Sequence, residues 1–346
     1  MHTLSCHGSV LSTGPRSGCS RDLRNLPLRH PSRIHRPRHL LQVVRSAKVA
    51  PDQLLHEAIK AAEKGAEVVL DSASKPRAFQ RKEGNDIVTE TDRAAEAVVV
   101  ASLRAAFPDH AVLGEEGGVT GPTGSDYLWC IDPLDGTVNF GSGYPSFCVS
   151  VGVLRHATPM AGCVIEFIGG GPGGLGGWQR RKYSACRNGG AFLDGQRLAV
   201  SRTRHLRDAL LATEAQYCEE QWEQVAGLYR QSTQLARGVR MCGAAAANCC
   251  HLAAGVVDAY WQFNLKPWDV AAGAVILEEA GGRLATADGT AWSVFDRSLV
   301  ATNDALLEQV LAMTEPAAAA MRESGANLGP WCIPPGYRVK AGAQLE

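Results

Sequence analysis

The chain has 346 residues, of which 45% are hydrophobic, 20% are charged and 37 are glycine, and its formal net charge is zero. This length accommodates two packed subdomains, and the hydrophobic content excludes an intrinsically disordered chain. The balanced composition also excludes collagen, coiled-coil and low-complexity proteins.

Positive charge is concentrated in residues 1–50. This segment contains eight Arg and one Lys against a single Asp, so the rest of the chain carries the balancing negative charge. It is rich in Ser and has no apolar run long enough for a signal-peptide core or a membrane span. We therefore predict an organelle transit peptide over residues 1–50, cleaved between about Arg45 and Ala50. A basic nucleic-acid-binding arm is the alternative, disfavoured because such arms are more often Lys-rich and attached to basic domains.

The cysteines predict neither a zinc site nor a disulfide framework. The chain contains 11 of them, and none form a C-x-x-C pair. In a reducing compartment, we expect them to be mostly small buried hydrophobic residues.

The first part of the remaining chain predicts two helices followed by strands. Apolar residues at helical spacing predict the helices, and Thr91 and Asp92 are expected at the N-cap of the second. Apolar and alternating runs predict two short strands that end near acids and then an antiparallel meander. The predicted elements are helices 52–71 and 93–107 and strands 111–113, 127–131, 147–154, 160–167 and 181–186. The glycine-rich residues 169–177 are interpreted as a hairpin loop, because they lack the ending of a phosphate-binding loop.

From residue 206 the pattern alternates between strands and helices, which indicates an α/β arrangement. The predicted elements are strands 209–213 and 258–263 and helices 221–230, 243–254 and 270–279. Residues after about Thr314 are rich in Ala, Pro and Gly, which favours a poorly ordered tail. The expected organisation is a transit peptide over 1–50, an N-terminal α+β metal-binding subdomain over 51–204, a C-terminal α/β subdomain over 205–314 and the tail over 315–346.

Acidic residues stand at the ends of predicted strands and the starts of predicted helices. They are Asp92, Glu115, Glu116, Asp132, Asp135 and Asp269. Strands that end near one another deliver such carboxylates to one edge of a sheet, where they repel one another unless cations neutralise them. Mg²⁺ prefers a few carboxylates together with water and phosphate oxygens. The pattern therefore predicts a divalent metal site of the kind used in phosphate-ester hydrolysis.

The segment that follows the second short strand has a spacing that suits this chemistry. Asp132 is placed to bridge two metal ions, the Leu134 carbonyl is available as a ligand, and Asp135 adds a second carboxylate. Gly136 lets the backbone approach a phosphate, and Thr137 begins a helix whose N–H groups favour an anion. A surface turn is the alternative, because Asp-Pro and Asp-Gly are common turn dipeptides. The apolar strand that delivers both acids, and the further acids along the chain, disfavour it.

Together these motifs resemble the inositol monophosphatase family. The resemblance covers about residues 52–314 and rests on four blocks in the family's order: DIVTETD at 86–92, GEE at 114–116, DPLDGTVNF at 132–140, and WDVAAG at 268–273 followed by EAGG at 279–282. The segments 260–261 and 265–269 are most similar to the plastid and cyanobacterial branch. The resemblance implies an α/β protein with α+β layering, an αβαβα sandwich of the sugar-phosphatase type.

The resemblance also implies a set of roles in Mg²⁺-dependent phosphate-ester hydrolysis by direct attack of water. The implied metal ligands are Glu115, Asp132, the Leu134 carbonyl, Asp135 and Asp269, which hold two ions, with a third and weaker ion near Glu115. Asp92 and Thr137 would orient the attacking water, while the backbone N–H groups of Gly136 and Thr137 would bind the phosphate.

The implied substrate-facing residues include two departures from the family pattern. They are Gly136, Thr137, Gly243, Ala244, Gln262 and Asp269. Ala244 stands where the family usually has a hydroxyl residue, and Gln262 stands where inositol-cleaving members generally have Glu. Because hydrogen bonds to a neutral amide are weaker than those to a carboxylate, recognition of sugar hydroxyls is expected to differ. Glu116 is interpreted as a solvated neighbour, and Arg81 or Lys82 as surface residues able to add positive charge near the site.

Three functions stay open at the level of the sequence. The favoured one is Mg²⁺-dependent hydrolysis of inositol monophosphate and related sugar phosphates. The second keeps the chemistry but acts on histidinol phosphate, fructose 1,6-bisphosphate or a phosphoadenosine nucleotide. The last of these substrates is disfavoured, because Val138 stands where the nucleotide-cleaving relatives have Lys. The third function, a catalytically silent regulatory homologue, is disfavoured because all the expected metal ligands are present.

We expect the partner to be a small-molecule phosphate ester, with no nucleic acid and no membrane involved. The family resemblance implies a homodimer. The basic N-terminal segment and the plastid-like motifs predict the chloroplast stroma, with the mitochondrion as the alternative.

Overall fold

The structure is a computed structural model. It describes residues 48–73, 75, 79–81, 87–169, 177–214 and 221–337, all within one compact unit that extends from Val43 to Glu346. The predicted transit peptide lies outside the described residues except for its last three positions. Lys82, the Arg81 side chain, most of the glycine-rich loop and the end of the tail also lie outside them. The boundary expected between residues 204 and 205 stays a prediction.

Every helix and strand predicted from the sequence is present, with ends that differ by a few residues. The helices are α1 Pro51–Ala73, α2 Glu90–Ala106, α3 Thr137–Ser142, α4 Trp222–Leu235, α5 Ala245–Ala253, α6 Pro267–Glu279 and α7 Leu307–Glu323. The strands are β1 Phe79–Arg81, β2 Ile87–Thr89, β3 Ala111–Gly114, β4 Gly118–Thr120, β5 Tyr127–Asp135, β6 Phe147–Arg155, β7 Thr158–Gly169, β8 Trp178–Cys186, β9 Gly190–Leu193, β10 Gln196–Arg197, β11 Leu210–Glu214, β12 Gly238–Arg240, β13 Ala259–Phe263, β14 Arg283–Ala285 and β15 Ser298–Thr302.

Most of these strands form two mixed sheets. The larger sheet has the order β10-β9-β8-β7-β6-β5-β3-β4, and the smaller one has the order β12-β11-β13-β15-β14. Strands β6, β7 and β8 form the predicted antiparallel meander, whereas β3 runs parallel to β5. Strand β5 is buried along its whole length, as expected for an apolar strand in the middle of a sheet covered on both faces.

Helices and sheets alternate in five layers. Helices α1 and α2 pack on one face of the larger sheet, α5 and α6 lie between the two sheets, and α4 and α7 pack on the far side of the smaller sheet. Two large apolar clusters fill the spaces on either side of the larger sheet, and a third lies beneath α4 and α7. The predicted α/β class and αβαβα sandwich are therefore confirmed.

Two glycines let α6 approach the larger sheet closely. Gly152 on β6 and Gly162 on β7 are direct cross-strand partners. A Cβ atom on Gly152 would lie 2.5 Å from the backbone nitrogen of Ala272, and one on Gly162 would lie 2.7 Å from the Ala272 Cα. Because both obstacles are helix backbone, a side chain at either position cannot be accommodated without moving α6. The glycine pair therefore fixes how close α6 sits to the sheet.

Gly152→Ala is expected to lower the free energy of unfolding by about 3 kcal/mol, because α6 must move to relieve the overlap. Urea denaturation monitored by circular dichroism measures this. Gly227→Ala is the matched control, since nothing lies within 4 Å of a Cβ at that position in α4. The control is expected to be neutral or to stabilise by about 0.5–1 kcal/mol, because Ala is the better helix former. Equal effects of the two changes would contradict the packing argument.

The start of α2 differs from the prediction. The N-cap is Thr89, whose hydroxyl accepts a hydrogen bond from the Thr91 N–H at 3.2 Å, so Thr91 and Asp92 already lie within the helix. The Asp92 carboxylate closes a capping box by accepting from the Thr89 N–H at 2.8 Å. The predicted N-cap at Thr91 and Asp92 is therefore wrong by two to three residues, because the Thr89 hydroxyl takes the capping position.

The predicted tail is wrong for residues 315–337. Helix α7 continues to Glu323 in spite of Pro316, and Met321 is fully buried. The chain then returns to the core, where the Tyr337 hydroxyl accepts a hydrogen bond from the Ala157 N–H at 2.8 Å. The Ala- and Pro-rich composition favoured disorder, but Ala318 and Met321 are buried in the apolar cluster beneath α4 and α7. Across the described ranges, none of the helices combines the length and apolar character that spanning a bilayer requires.

Candidate active site

Two parallel strands bring Glu115 and Asp132 together. On β3 and β5, Gly114 pairs with Ile131, so the residues that follow, Glu115 and Asp132, lie at the same edge of the sheet. The Glu115 N–H donates to the Ile131 carbonyl at 3.2 Å and holds this register. The expectation that strand ends deliver carboxylates to one edge therefore describes these two residues correctly.

The end of β5 departs from the regular ladder. Its register with β6 shifts between Asp132 and Asp135, an irregularity of the kind that redirects side chains beside active sites. The Leu134 N–H donates to Asp132 Oδ1 at 3.0 Å. Gly136 follows with a φ of 86°, and a Cβ there would lie 2.9 Å from the Ser146 carbonyl oxygen, so only glycine fits. The chain then enters α3, as predicted.

Most of the predicted site residues surround one pocket of about 590 Å³. Nine of them line it: Glu115, Asp132, Leu134, Asp135, Gly136, Thr137, Gly243, Gln262 and Asp269. Ala244 is buried and does not line the pocket, where the next residue, Ala245, takes its place. Asp92 lies behind the wall and reaches the pocket through Thr137. Residues from both halves of the chain thus form one site.

Helix starts hold two of the carboxylates. Asp135 accepts hydrogen bonds from the Ala245 N–H at 3.1 Å and the Ala246 N–H at 2.7 Å, in the first turn of α5. Asp269, in the first turn of α6, accepts from the Lys266 N–H at 2.7 Å. Because N–H groups at a helix start are otherwise unpaired, these bonds orient the carboxylates and stabilise the helices together.

Burial and mutual repulsion make the acidic cluster electrostatically unfavourable. Burial is the main cause that raises the pKa of Asp132 well above its usual range, and the neighbouring charges of Glu115, Asp135 and Asp269 raise it further. Burial also raises the pKa of Asp135 to about 6, against the lowering effect of its hydrogen bonds. The pKa of Asp269 is raised by burial as well. Groups that perturb one another in this way are close in space and favour a bound cation.

Asp92 and Thr137 form a pair at the pocket wall, in which Thr137 lines the pocket and Asp92 is buried behind it. The Thr137 hydroxyl lies 3.1 Å from Asp92 Oδ1 and 3.0 Å from the Leu134 carbonyl oxygen. Because one hydroxyl has a single proton, it donates to one of these acceptors at a time and keeps its lone pairs for another donor. Burial raises the pKa of Asp92, and its hydrogen bonds with Thr89 oppose that rise. The pair can therefore accept a hydrogen bond from a water in the pocket.

Sequence reasoning missed Glu214, which also lines the pocket. It ends β11 and lies directly across from Gln262 on β13. Glu214 Oε1 accepts from the N–H groups of Cys242 at 2.8 Å and Gly243 at 2.6 Å, and so fixes the loop before α5. Its signal was available, because it too is an acid that follows an apolar strand.

Gln262 is oriented by the Tyr260 hydroxyl, which donates a hydrogen bond to Gln262 Oε1. The NH₂ group of Gln262 is therefore left as the donor.

Glu96 is a second residue that sequence reasoning missed. It lies on α2, is 7% exposed, and accepts hydrogen bonds from the N–H groups of Glu116 at 2.9 Å and Gly117 at 2.6 Å. These bonds fix the loop that presents Glu115. Glu116 itself contributes its backbone to this loop, and its side chain does not line the pocket. No local pattern links Glu96 to residues twenty positions away.

The donor set suits a hard divalent cation. Among the described residues, no group of three or more His, Cys, Asp or Glu side chains is arranged so that it could hold a metal ion. The pocket nevertheless brings the carboxylates of Glu115, Asp132, Asp135 and Asp269 together with the Leu134 carbonyl, all oxygen donors. The charges of the other three carboxylates raise the pKa of Asp132. A divalent cation would relieve this repulsion and bind these oxygens, with small side-chain rotations closing the set.

Comparison with known proteins agrees with this geometry. The sequence model described as the inositol monophosphatase family matches residues 50–319. The chain is 44% identical over 293 residues to "Phosphatase IMPL1, chloroplastic" of Arabidopsis thaliana, covering 84% of this chain and 78% of that protein. It is 36% identical over 275 residues to a Nus factor SuhB of Pseudomonas aeruginosa, covering 76% and 96%. The structure of the inositol monophosphatase from Anabaena (Nostoc) sp. PCC 7120 superposes with a TM-score of 0.65 at 32% identity, covering 76% and 95%.

The fold and the acidic pocket define a phosphatase of the metal-dependent type. The family match covers well over half of the chain, and the matched residues include every acid that lines the pocket. The chain belongs to the inositol monophosphatase family. The resemblance predicted from its sequence motifs is confirmed.

Proposed function

We propose that the protein is a Mg²⁺-dependent phosphomonoesterase that hydrolyses inositol monophosphate to the free alcohol and phosphate by direct attack of water. The observation that carries this proposal is the convergence of Glu115, Asp132, Asp135 and Asp269 on one pocket beside the start of α3. Buried carboxylates that repel one another are unfavourable unless a cation binds them. The similarity to the Anabaena protein, which is named inositol monophosphatase, supports the choice of substrate class.

The residues of the chain divide the work between binding and orientation. When bound, Mg²⁺ acidifies water and neutralises charge on the phosphate. Glu115, Asp132, the Leu134 carbonyl, Asp135 and Asp269 would hold the metal ions. The Asp92–Thr137 pair would orient the attacking water by accepting its hydrogen bond. The backbone N–H groups of Gly136 and Thr137 would hold the phosphate in line.

A phosphate-release assay on a panel of esters, with and without Mg²⁺, tests the proposal. The panel contains myo-inositol 1-phosphate, histidinol phosphate, fructose 1,6-bisphosphate and a phosphoadenosine nucleotide. We expect release from inositol phosphate that requires Mg²⁺ and is lost with a chelator. A higher kcat/KM for another ester would replace the substrate and keep the chemistry. No release from any ester would favour the regulatory homologue, for which the similarity to a Nus factor is the supporting observation.

Gln262→Glu is expected to raise the ratio of kcat/KM for myo-inositol 1-phosphate to kcat/KM for fructose 1,6-bisphosphate by roughly fivefold. The reason is that a carboxylate accepts hydrogen bonds from hydroxyl groups more strongly than an amide does. The new carboxylate would keep the hydrogen bond from Tyr260 and lie across from Glu214. The Mg²⁺ concentration for half-maximal activity should not change, because Gln262 is not among the proposed ligands. An unchanged substrate profile would contradict a role in recognition.

The proposal extends to the setting of the enzyme. A chloroplast location is supported by the Arabidopsis relative that is named chloroplastic and by the basic segment over residues 1–50. Import of the full-length chain into isolated chloroplasts or mitochondria, with N-terminal sequencing of the product, tests the location and the transit peptide together. A homodimer follows from the family resemblance, and light scattering on the purified chain measures it.

A further inference from the structure

We propose that Trp331, in the C-terminal segment 326–337, is a positioning residue for the substrate site that holds the Lys266 ammonium at the pocket wall for the anionic phosphate ester. The inference rests on the proposed function, because it takes the acidic pocket as the site of the ester. The segment lies beyond the family match, which ends at residue 319. It is therefore a feature of this chain that the family pattern does not describe.

The charge of the pocket creates the need for such a cation. Its wall carries five carboxylates, those of Glu115, Asp132, Asp135, Glu214 and Asp269. Of the described residues that line the pocket, Lys266 is the one with a positively charged side chain. A phosphate ester carries up to two negative charges near neutral pH, so carboxylates that bound metal leaves uncompensated oppose its entry. A cation fixed in the wall reduces that repulsion and attracts the phosphate.

Trp331 lies against this cation. The Lys266 Nζ atom is 3.5 Å from the centroid of the Trp331 ring, and the Arg297 Cζ atom is 3.3 Å from it. Two groups at these distances fit only on opposite faces of the ring, so the indole is held between the two cations. The face of an indole is the most favourable aromatic surface for a cation. The contact therefore defines where the Lys266 ammonium lies.

The Trp331 ring is itself fixed to the turn that carries Lys266. Its Nε1–H donates to the Leu265 carbonyl at 2.5 Å, one residue before Lys266. Its backbone N–H donates to the Phe295 carbonyl at 2.7 Å, and Arg297 Nε–H donates to the Gly329 carbonyl at 2.9 Å. These three hydrogen bonds attach the segment to Leu265, Phe295 and Arg297. The indole thus has a defined position relative to the pocket.

A restrained lysine binds an anion more tightly than an unrestrained one. A lysine side chain has many rotamers, and ordering them on binding costs conformational entropy. Contact with Trp331 removes much of that freedom before the ester arrives, so less is lost on binding. The expected consequence is an effect on affinity for phosphate, expressed in KM, with kcat largely spared.

Calorimetric titration with inorganic phosphate in the presence of Mg²⁺ tests the proposal. Lys266→Met should weaken phosphate binding about tenfold, because a charge-assisted contact is lost. Trp331→Leu should weaken it about threefold, and Trp331→Phe should restore most of the loss, because it keeps an aromatic face. In the double variant, Trp331→Leu should add nothing to Lys266→Met, because it acts through that lysine. For an ester that the enzyme cleaves, KM should rise across these variants in the same order as the loss of phosphate affinity. The kcat of each variant should stay within about twofold of the wild-type value.

Tyr337→Phe is the matched control in the same segment. It removes the hydroxyl that accepts from the Ala157 N–H and leaves the Lys266 contact untouched. We expect a lower unfolding temperature and an unchanged affinity for phosphate. Unchanged phosphate binding in Lys266→Met, or an equal loss from Trp331→Leu in both backgrounds, would overturn the proposal. Because binding is measured directly, these results remain distinct from a failure of the wild-type chain to cleave any ester, which would overturn the proposed function alone.

Discussion

Asp135→Asn is expected to lower turnover of phosphate esters by roughly a thousandfold or more, because it removes a charge that the proposed second metal ion requires. The fold should persist. Asparagine keeps one carbonyl oxygen for the N–H groups of Ala245 and Ala246, so only one of the two hydrogen bonds is lost. That loss costs about 1 kcal/mol, and removal of a buried carboxylate with a raised pKa offsets it. Phosphate release under single-turnover conditions and a calorimetric Mg²⁺ titration measure the two effects.

Asp258→Asn is the matched control for this change. Asp258 is also buried and accepts a backbone hydrogen bond, from the Leu210 N–H at 2.6 Å, but it does not line the pocket. We expect this variant to lose some stability and to keep its kcat. If Asp135→Asn retained near-full activity, the assignment of Asp135 to the metal site would be wrong.

Asp132→Asn is expected to raise the unfolding temperature of the metal-free protein at pH 8 by roughly 5 °C, although it abolishes activity. The reason is the raised pKa of Asp132, caused first by burial and then by the charges of Glu115, Asp135 and Asp269. Asparagine keeps the acceptor for the Leu134 N–H and removes one charge from the cluster. Calorimetric melts after treatment with a chelator measure the shift.

The pH dependence of the metal-free protein follows from the same cluster. For Asp135, the folded state has a pKa of about 6 against 3.8 for an unperturbed Asp, so between these values the folded state binds more protons than the unfolded state. Stability therefore falls as the pH rises through this window, and the pH 8 advantage of Asp132→Asn should shrink toward pH 4.

Added Mg²⁺ should reverse the order, because it stabilises the wild-type cluster and not the variant. Asp304→Asn, whose side chain is 86% exposed, is the control and should change little. A metal-free Asp132→Asn protein that melts at or below the wild-type temperature at pH 8 would contradict the electrostatic account.

Local patterns in the sequence predicted the fold well, because they depend on few residues. Apolar periodicity located α1, α2, α4, α5 and α6 and the long strands of the larger sheet, but it did not locate α7 or β15. The family blocks located the acids of β5 and α6. Asp132 and Asp135 could be predicted because the same short motif contains both acids and the glycine after them. The capping residue of α2 was misplaced because Thr89 and Thr91 offer the same hydroxyl two positions apart.

Residues that act across long separations could not be predicted in this way. Glu96 organises a loop about twenty residues further along, and Trp331 contacts Lys266 across 65 positions. Neither contact leaves a periodic trace in the sequence. The prediction of a disordered tail failed for a related reason. The composition of a segment indicates whether it folds in isolation, but it does not show that the segment packs against another part of the protein. Glu214 was missed although its position after an apolar strand resembles that of the acids that were found.

Asp92, Asp135 and Asp269 each receive backbone N–H bonds from the first turn or N-cap of a different helix, α2, α5 and α6. Each helix start thus provides a fractional positive counter-charge that is covalently part of the protein and never dissociates. The negative charge of these acids is therefore partly compensated by the protein itself. On this basis Asp135 and Asp269 would keep their positions when the proposed metal ions leave the pocket, because α5 and α6 hold them.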